Sequence, residues 1–176
     1  MSAIINETIT ENVTSFAGVP SWMLVLMNKV LERTGKNHLM EVWPDLEVYF
    51  HGGVSFDPYR EQYQKILPKN NFKYYEIYNA SEGFFAIQDL NYSSDLLLML
   101  DYGIFYEFIP MDTFGTPNQK VVRLSQVELF KNYAMVITTN GGLCRNKTGN
   151  KVRFTSVKPN RIRASGRTRH HMNAVA

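Results

Sequence analysis

Three short segments of the sequence combine residue types that bind a phosphate, a sugar or a hard cation. The first, Tyr78-Asn79-Ala80-Ser81-Glu82-Gly83, ends an aromatic run that predicts a strand. A Ser-Glu pair at the end of a strand can hold Mg²⁺ and a phosphate bound to it, because Mg²⁺ prefers carboxylate oxygen. An ordinary surface turn with an exposed Glu82 explains the same residues, so this segment alone leaves both interpretations open.

The second segment, residues 138–150, places a glycine-rich turn directly after a predicted strand. Such a turn exposes backbone N–H groups, and Arg145 and Lys147 add positive charge, which suits a phosphate or a sugar. A plain hairpin loop is the alternative. The third segment, residues 165–169, follows a strand with Ser-Gly-Arg, which is typical of an interdomain hinge and equally of a basic turn.

Two other candidates for chemistry are rejected, and no catalytic residue is assigned. Cys144 has no acid–base partner near it in the sequence, so it is not predicted to be a nucleophile. Adjacent His170 and His171 point to opposite faces of a strand, which does not suit a metal site. Because Cys144 is the only cysteine, an internal disulfide is excluded, and we predict a cytoplasmic protein.

The charge of the chain is unevenly distributed. The 176 residues have a net charge of +3, but all 16 acidic residues lie at or before Glu128. The first 128 residues carry 9 − 16 = −7, and the rest carries +10. This asymmetry indicates a polyanionic ligand or an acidic partner surface. No apolar run reaches the roughly 18–20 residues that span a bilayer, so no membrane segment is predicted.

The elements that position these segments change in type along the chain. Residues 1–14 are weakly patterned and predict a poorly ordered lead-in. Pro20 to Gly35 predicts a helix, and Leu46–Phe50 predicts a strand that runs into His51-Gly52-Gly53. Asp57 and Pro58 predict the start of a helix through Leu67. Shorter elements are a helix at 38–43 and strands at 73–78, 84–88, 96–100, 104–109, 126–129, 133–139, 152–156 and 161–164.

The predicted fold class is therefore mixed α/β, with a helix and strand layer that runs into an antiparallel β region. Taken together and in order, the motifs resemble those of the auxin-responsive acyl acid amido synthetase family (Gretchen Hagen three), bacterial branch, within the adenylate-forming superfamily. The resemblance begins near Ser15 and covers about nine tenths of the chain. Its motifs are Tyr78–Gly83, Tyr106–Asp112, Thr138–Asn150 and Ser165–Arg167.

The resemblance implies a two-step reaction. A carboxylic acid attacks ATP to give an acyl-adenylate and pyrophosphate, and the amine of an amino acid then displaces AMP to form an amide. Charge that builds on the phosphate oxygens is stabilised by cations and oriented donors. In the family pattern Glu82 helps to hold Mg²⁺. The resemblance implies further nucleotide contacts at Gly52, Gly53, Tyr78, Asn79, Ala80, Ser81, Asn150 and Arg167. Of these, Asn150 takes the place of a ribose-binding Asp in the family pattern.

The sequence also departs from the family pattern. Cys144, Asn146 and Asn150 replace residues that the nucleotide motif of the family has, which puts nucleotide binding in question. We predict a fragment of the large N-terminal domain over residues 15–164, with residues 165–176 at the hinge to a C-terminal lid, inactive alone and prone to self-association through exposed strands. The alternative is a non-catalytic remnant whose basic C-terminal third binds nucleic acid or another polyanion.

Overall fold

The protein divides into two compact units, which are described one at a time. A computed structural model describes residues 1–91 and 93–168 and separates Met1–Tyr78 from Asn79–Ala176. None of the helices within residues 1–91 and 93–168 is long and apolar enough to cross a membrane.

The first unit alternates helices and strands, as its sequence predicts. Its strands β1, β2 and β3 form a parallel sheet in that order. Helices connect the parallel strands, which is the connection that parallel pairing requires. The elements are α1 (Ser2–Thr8), β1 (Ser15–Gly18), α2 (Pro20–Thr34), a 3-10 helix (Leu39–Glu41), β2 (Val48–His51), a 3-10 helix (Asp57–Tyr59), α3 (Arg60–Ile66) and β3 (Lys73–Ala80).

The α2 helix confirms the predicted start and stop signals. Pro20 occupies the first turn, where its missing N–H group costs nothing. Gly35 ends the helix in the left-handed conformation, with φ 66°, and its N–H group donates to the Leu31 carbonyl oxygen. Leu24 and Val30 face the core, whereas Trp22 is 79% exposed.

Two predictions for the first unit were wrong in detail. Residues 1–14 contain α1, because Ile5 is buried in the core and the Trp43 Nε1–H group donates to the Thr8 carbonyl oxygen at 2.9 Å. Asp57 does not cap a helix. Its carboxylate instead accepts a hydrogen bond from Arg60, and the α-helix begins only at Arg60.

The second unit is an antiparallel sheet in the order β4-β5-β10-β9-β8-β6-β7. Its inner strand β8 is buried at five consecutive residues, Tyr133–Ile137, and Phe85, Phe108 and Phe154 are completely buried. The elements are β4 (Gly83–Gln88), β5 (Leu96–Leu98), β6 (Ile104–Pro110), β7 (Val122–Arg123), a 3-10 helix (Leu124–Gln126), β8 (Asn132–Thr139), β9 (Asn146–Val157) and β10 (Asn160–Arg167).

The structure corrects one further prediction. Residues 126–129 are not a strand, because the Gln126 side chain accepts the Arg123 N–H group and closes a 3-10 turn. The hinge residues Ser165–Arg167 lie within β10, and residues 169–176 of the predicted hinge lie outside the described residues. β5 and β6 each pair with a neighbouring strand on both sides. The domain boundaries and self-association stay predictions.

Candidate functional site

In the first unit, the predicted glycine segment lies at the carboxyl edge of the parallel sheet. His51 ends β2 opposite Glu76 of β3, so Gly52 follows directly beside Ile77. A Cβ atom on Gly52 would stand 2.4 Å from the Ile77 carbonyl oxygen, so only glycine fits there. Gly53 has a φ of 82° and continues the turn. The carboxyl edge of an open α/β sheet is where such folds bind ligands.

This edge also contains a buried histidine that the sequence analysis did not assign. The His51 side chain is 4% exposed and stacks on Phe56 with ring centroids 4.3 Å apart. Burial, followed by the charge of Arg60, lowers its pKa to about 4, so the ring is neutral near pH 7. Among the described residues its Nδ1 atom has no hydrogen-bond partner. The alternation of Tyr49 and His51 on β2 is the sequence signal that could have indicated this buried position.

The motif that begins at Tyr78 spans the end of β3 and the turn before β4. Tyr78 is partly buried, whereas Asn79, Ala80 and Ser81 are exposed. Glu82 is partly buried in the turn. The predicted strand and turn are therefore confirmed, and the nucleotide contacts of these residues stay predictions.

The residues present permit Mg²⁺ at Glu82 but do not make a complete metal cage. Within residues 1–91 and 93–168, no group of three or more His, Cys, Asp or Glu side chains is placed to hold a metal ion. Mg²⁺ commonly keeps several water ligands and takes one or two carboxylates together with substrate phosphates. A single carboxylate such as Glu82 fits that mode of binding.

In the second unit, the structure brings Asn150 and Arg167 together. They are directly paired across β9 and β10, and the Thr168 N–H group donates to the Gly149 carbonyl oxygen at 2.9 Å. The sequence predicted both residues for nucleotide binding but not their direct pairing, which depends on the register of β9 and β10.

Arg167 also lines a cavity of about 410 Å³ in the second unit. Lys147 lies over the Phe114 ring, 5.8 Å from its centroid, and provides a second cation in the cavity wall. No acidic side chain of the described residues lines it, so the cavity suits an anion such as a phosphate. The full lining is Phe114, Gly115, Gln119, Lys147, Thr148, Gly149, Arg167 and Thr168.

The other cation of the glycine-rich loop is used differently. The Arg145 guanidinium donates from Nε to one Glu107 oxygen at 2.9 Å and from Nη2 to the other at 3.1 Å. Its charge is thus paired within the protein, whereas the sequence suggested that it faces a phosphate. Cys144, beside it, is an exposed free thiol.

The excess of positive charge near the C-terminus is partly neutralised inside the second unit. Four basic residues of this region form ion pairs with acidic residues that precede them in the chain. The pairs are Lys131 with Asp112 and Glu128, Arg145 with Glu107, Arg161 with Asp89, and Arg163 with Asp95. The charge asymmetry along the sequence therefore reflects cross-strand pairing in good part, and no observation favours the polyanion-binding alternative.

Two family models match the chain. Residues 1–72 match the GH3 family N-terminal domain, and residues 97–167 match the GH3 family central domain. The chain is 27% identical over 167 residues to indole-3-acetic acid-amido synthetase GH3.4 of Arabidopsis thaliana, an alignment that covers 88% of this chain and 27% of the relative. For GH3.3 of the same organism, the covered share of the relative is 20%. The chain thus spans about a fifth to a quarter of the length of these curated relatives.

Solved structures show the same fold. GH3.15 acyl acid amido synthetase matches 80% of this chain and 25% of its own chain, with a TM-score of 0.58 and 19% identity. A 2-hydroxyisobutyryl-CoA ligase in complex with 2-HIB-AMP and CoA matches 94% of this chain and 39% of its own, with a TM-score of 0.65 and 15% identity. The predicted mixed α/β fold of the adenylate-forming type is thereby confirmed.

Proposed function

Because this chain belongs to the GH3 family, we propose that it forms part of the nucleotide-binding domain of an acyl acid amido synthetase. In the proposed reaction a carboxylate oxygen attacks the α-phosphorus of ATP, and the bond to pyrophosphate breaks. The amine of an amino acid then attacks the acyl carbonyl carbon, and AMP leaves. The observation that carries the proposal is the pairing of Asn150 with Arg167 beside a basic cavity, within the region that matches the central domain.

Each predicted residue has a role in this proposal. Asn150 accepts a hydrogen bond from a ribose hydroxyl, and Arg167 binds a phosphate or the ribose. Gly52 and Gly53 line the adenine, because a segment without side chains lets a planar base approach the backbone. The polypeptide from Tyr78 to Ser81 flanks the adenine and the α-phosphate.

Glu82 is the proposed Mg²⁺ ligand. A bound Mg²⁺ neutralises charge on the phosphate oxygens during transfer. The proposed substrates are a carboxylic acid and an amino acid. The relatives support these classes, since their names describe amido synthetases of indole-3-acetic acid and of acyl acids. A cytoplasmic location stays a prediction.

Calorimetric titration of the 176-residue chain with MgATP tests the proposal. Replacing Asn150 by Asp restores the charged acceptor of the family pattern, and charge-assisted hydrogen bonds are worth roughly 1–2 kcal/mol more than neutral ones. We expect Asn150→Asp to bind about tenfold more tightly and Arg167→Gln to bind more weakly. Lys158→Gln, on an exposed turn, is the matched control. Equal affinities in all four proteins would remove Asn150 and Arg167 from the site.

Catalysis is a separate measurement from binding. A chain that spans a fifth to a quarter of the length of its relatives supplies only part of the groups that position the acid and the phosphates. We therefore expect no acid-dependent exchange of pyrophosphate into ATP above a blank without protein. Clear exchange would contradict the prediction that the chain is inactive alone.

A further inference from the structure

Arg145 occupies an unusual position at the end of the loop between β8 and β9. Its φ angle is 45°, in the left-handed region that residues other than glycine rarely adopt. Such a conformation persists only where the surrounding structure holds it firmly. Here the Arg145 N–H group donates to Thr138 Oγ1 at 3.0 Å, and the side chain makes the two-pronged pair with Glu107.

Glu107 is well placed to act as the fixed end of this pair. It lies on β6 opposite Val136 of β8, and Val136 in turn lies opposite Lys147 of β9. The Glu107 side chain is only 17% exposed, whereas that of Arg145 is 58% exposed. The pair therefore connects the ordered β6 strand, across β8, to the residue that directly precedes β9.

We propose that Glu107 and Arg145 form a clamp that holds residues 140–145 in one conformation and thereby sets the start of β9, the strand that carries Asn150. Arg145 is then a positioning residue and not a ligand of the phosphates. A bidentate arginine–carboxylate pair suits this role, because its two parallel hydrogen bonds fix direction as well as distance. This inference rests on the proposed function for its consequence in nucleotide binding.

The chain offers a matched control for the clamp. Arg163 and Asp95 form an ion pair in the same unit, with side chains 46% and 21% exposed, close to the values of the clamp. This pair lies outside the loop between β8 and β9. Removing either pair should cost similar stability, so a difference in loop order or nucleotide affinity is due to the clamp itself.

The experiment compares Glu107→Gln, Arg145→Gln and Arg145→Lys with Asp95→Asn in the 176-residue chain. Hydrogen exchange of the amides at 140–146 is measured together with MgATP affinity. We expect faster exchange in the loop and about fivefold weaker binding for both Gln variants. Arg145→Lys should recover part of both effects, and Glu107→Gln with Arg145→Gln combined should be no worse than either alone. Asp95→Asn should leave the loop and the affinity unchanged.

The two measurements separate the clamp from the proposed function. Unchanged loop exchange in Glu107→Gln overturns the clamp, whatever the affinities are. Equal weakening of MgATP binding in Glu107→Gln and Asp95→Asn, at equal loss of thermal stability, overturns its positioning role. If the unmodified chain binds no MgATP, the proposed function fails, and hydrogen exchange alone decides whether the clamp holds the loop.

Discussion

The two units position their candidate ligand residues by different physical means. In the first unit, the Gly52 backbone lies against Ile77 of β3, and the core contains stacked aromatic rings, with the Tyr63 hydroxyl donating to the Pro20 carbonyl oxygen. In the second unit, strand register sets Asn150 beside Arg167, and ion pairs join neighbouring strands. We therefore expect the stability of the first unit to fall most when volume is added or when a buried group becomes charged. The stability of the second unit should fall only slightly when a charge is removed.

The largest effect is expected from added volume at the carboxyl edge of the first unit. In Gly52→Ala the new methyl group would meet the Ile77 carbonyl oxygen at 2.4 Å, and backbone atoms cannot turn aside as a side chain can. We expect a loss of about 3 kcal/mol in the free energy of unfolding, measured by chemical denaturation followed by circular dichroism.

Gly141→Ala, in the glycine-rich loop of the second unit, is the matched control. Its new Cβ atom would lie 3.6 Å from Thr139 Oγ1, an ordinary contact. The free energy of unfolding should change by less than about 0.5 kcal/mol. Similar losses in the two variants would show that the glycines of the two units do not differ in the way the packing indicates.

A slightly smaller effect is expected from protonation of His51. Its pKa is about 4 in the folded protein, below the ordinary value of 6.5, because burial disfavours the charged ring. The unfolded chain thus binds more protons, and the stability that depends on neutral His51 is complete above pH 6.5 and is lost as the pH falls towards 4. The loss should reach roughly 2–3 kcal/mol at pH 4.

Comparison with His51→Phe isolates this effect, because phenylalanine keeps a ring against Phe56 and cannot be protonated. Denaturation curves of both proteins at several values between pH 7 and pH 4 give the free energy of unfolding as a function of pH, and the two slopes are compared. Parallel curves would mean that His51 is not desolvated as its 4% exposure indicates.

The smallest effect is expected from an ion pair of the second unit. Asp89 and Arg161 have side chains 27% and 16% exposed, and the hydrogen bond from Arg161 lowers the Asp89 pKa. Asp89→Asn should cost at most about 1 kcal/mol at pH 7, since solvent screens such pairs. The contribution is present above the ordinary carboxylate pKa and is lost as the pH falls through the lowered value.

Salt provides the check on this third prediction. In thermal melts at low and high ionic strength, the difference in melting temperature between the unmodified protein and Asp89→Asn should shrink as salt increases. Lys131→Gln, which removes an exposed ion pair, should have the same melting temperature as the unmodified protein under all conditions. A loss in Asp89→Asn as large as that in Gly52→Ala would contradict the contrast between the units.

The sequence correctly predicted those elements whose ends are set by neighbouring residues. Pro20 and Gly35 bounded α2 correctly, because helix ends depend on neighbouring residues. The strand assigned to 126–129 failed, since a single side-chain hydrogen bond from the Arg123 N–H group to Gln126 favoured a turn over an apolar pattern. The pairing of Arg145 with Glu107, 38 positions apart, was not predictable, because no local rule relates residues on different strands.

The two tryptophans give the chain an optical asymmetry. Both Trp22 and Trp43 belong to the first unit, and Trp22 is 79% exposed at the start of α2 whereas Trp43 is 3% exposed. Intrinsic fluorescence excited at the indole band therefore reports on the first unit alone. A soluble quencher should extinguish the red-shifted emission of Trp22 first and leave the blue-shifted emission of Trp43. Any macromolecule that covers the exposed indole would be detected as protection from that quencher, without a label.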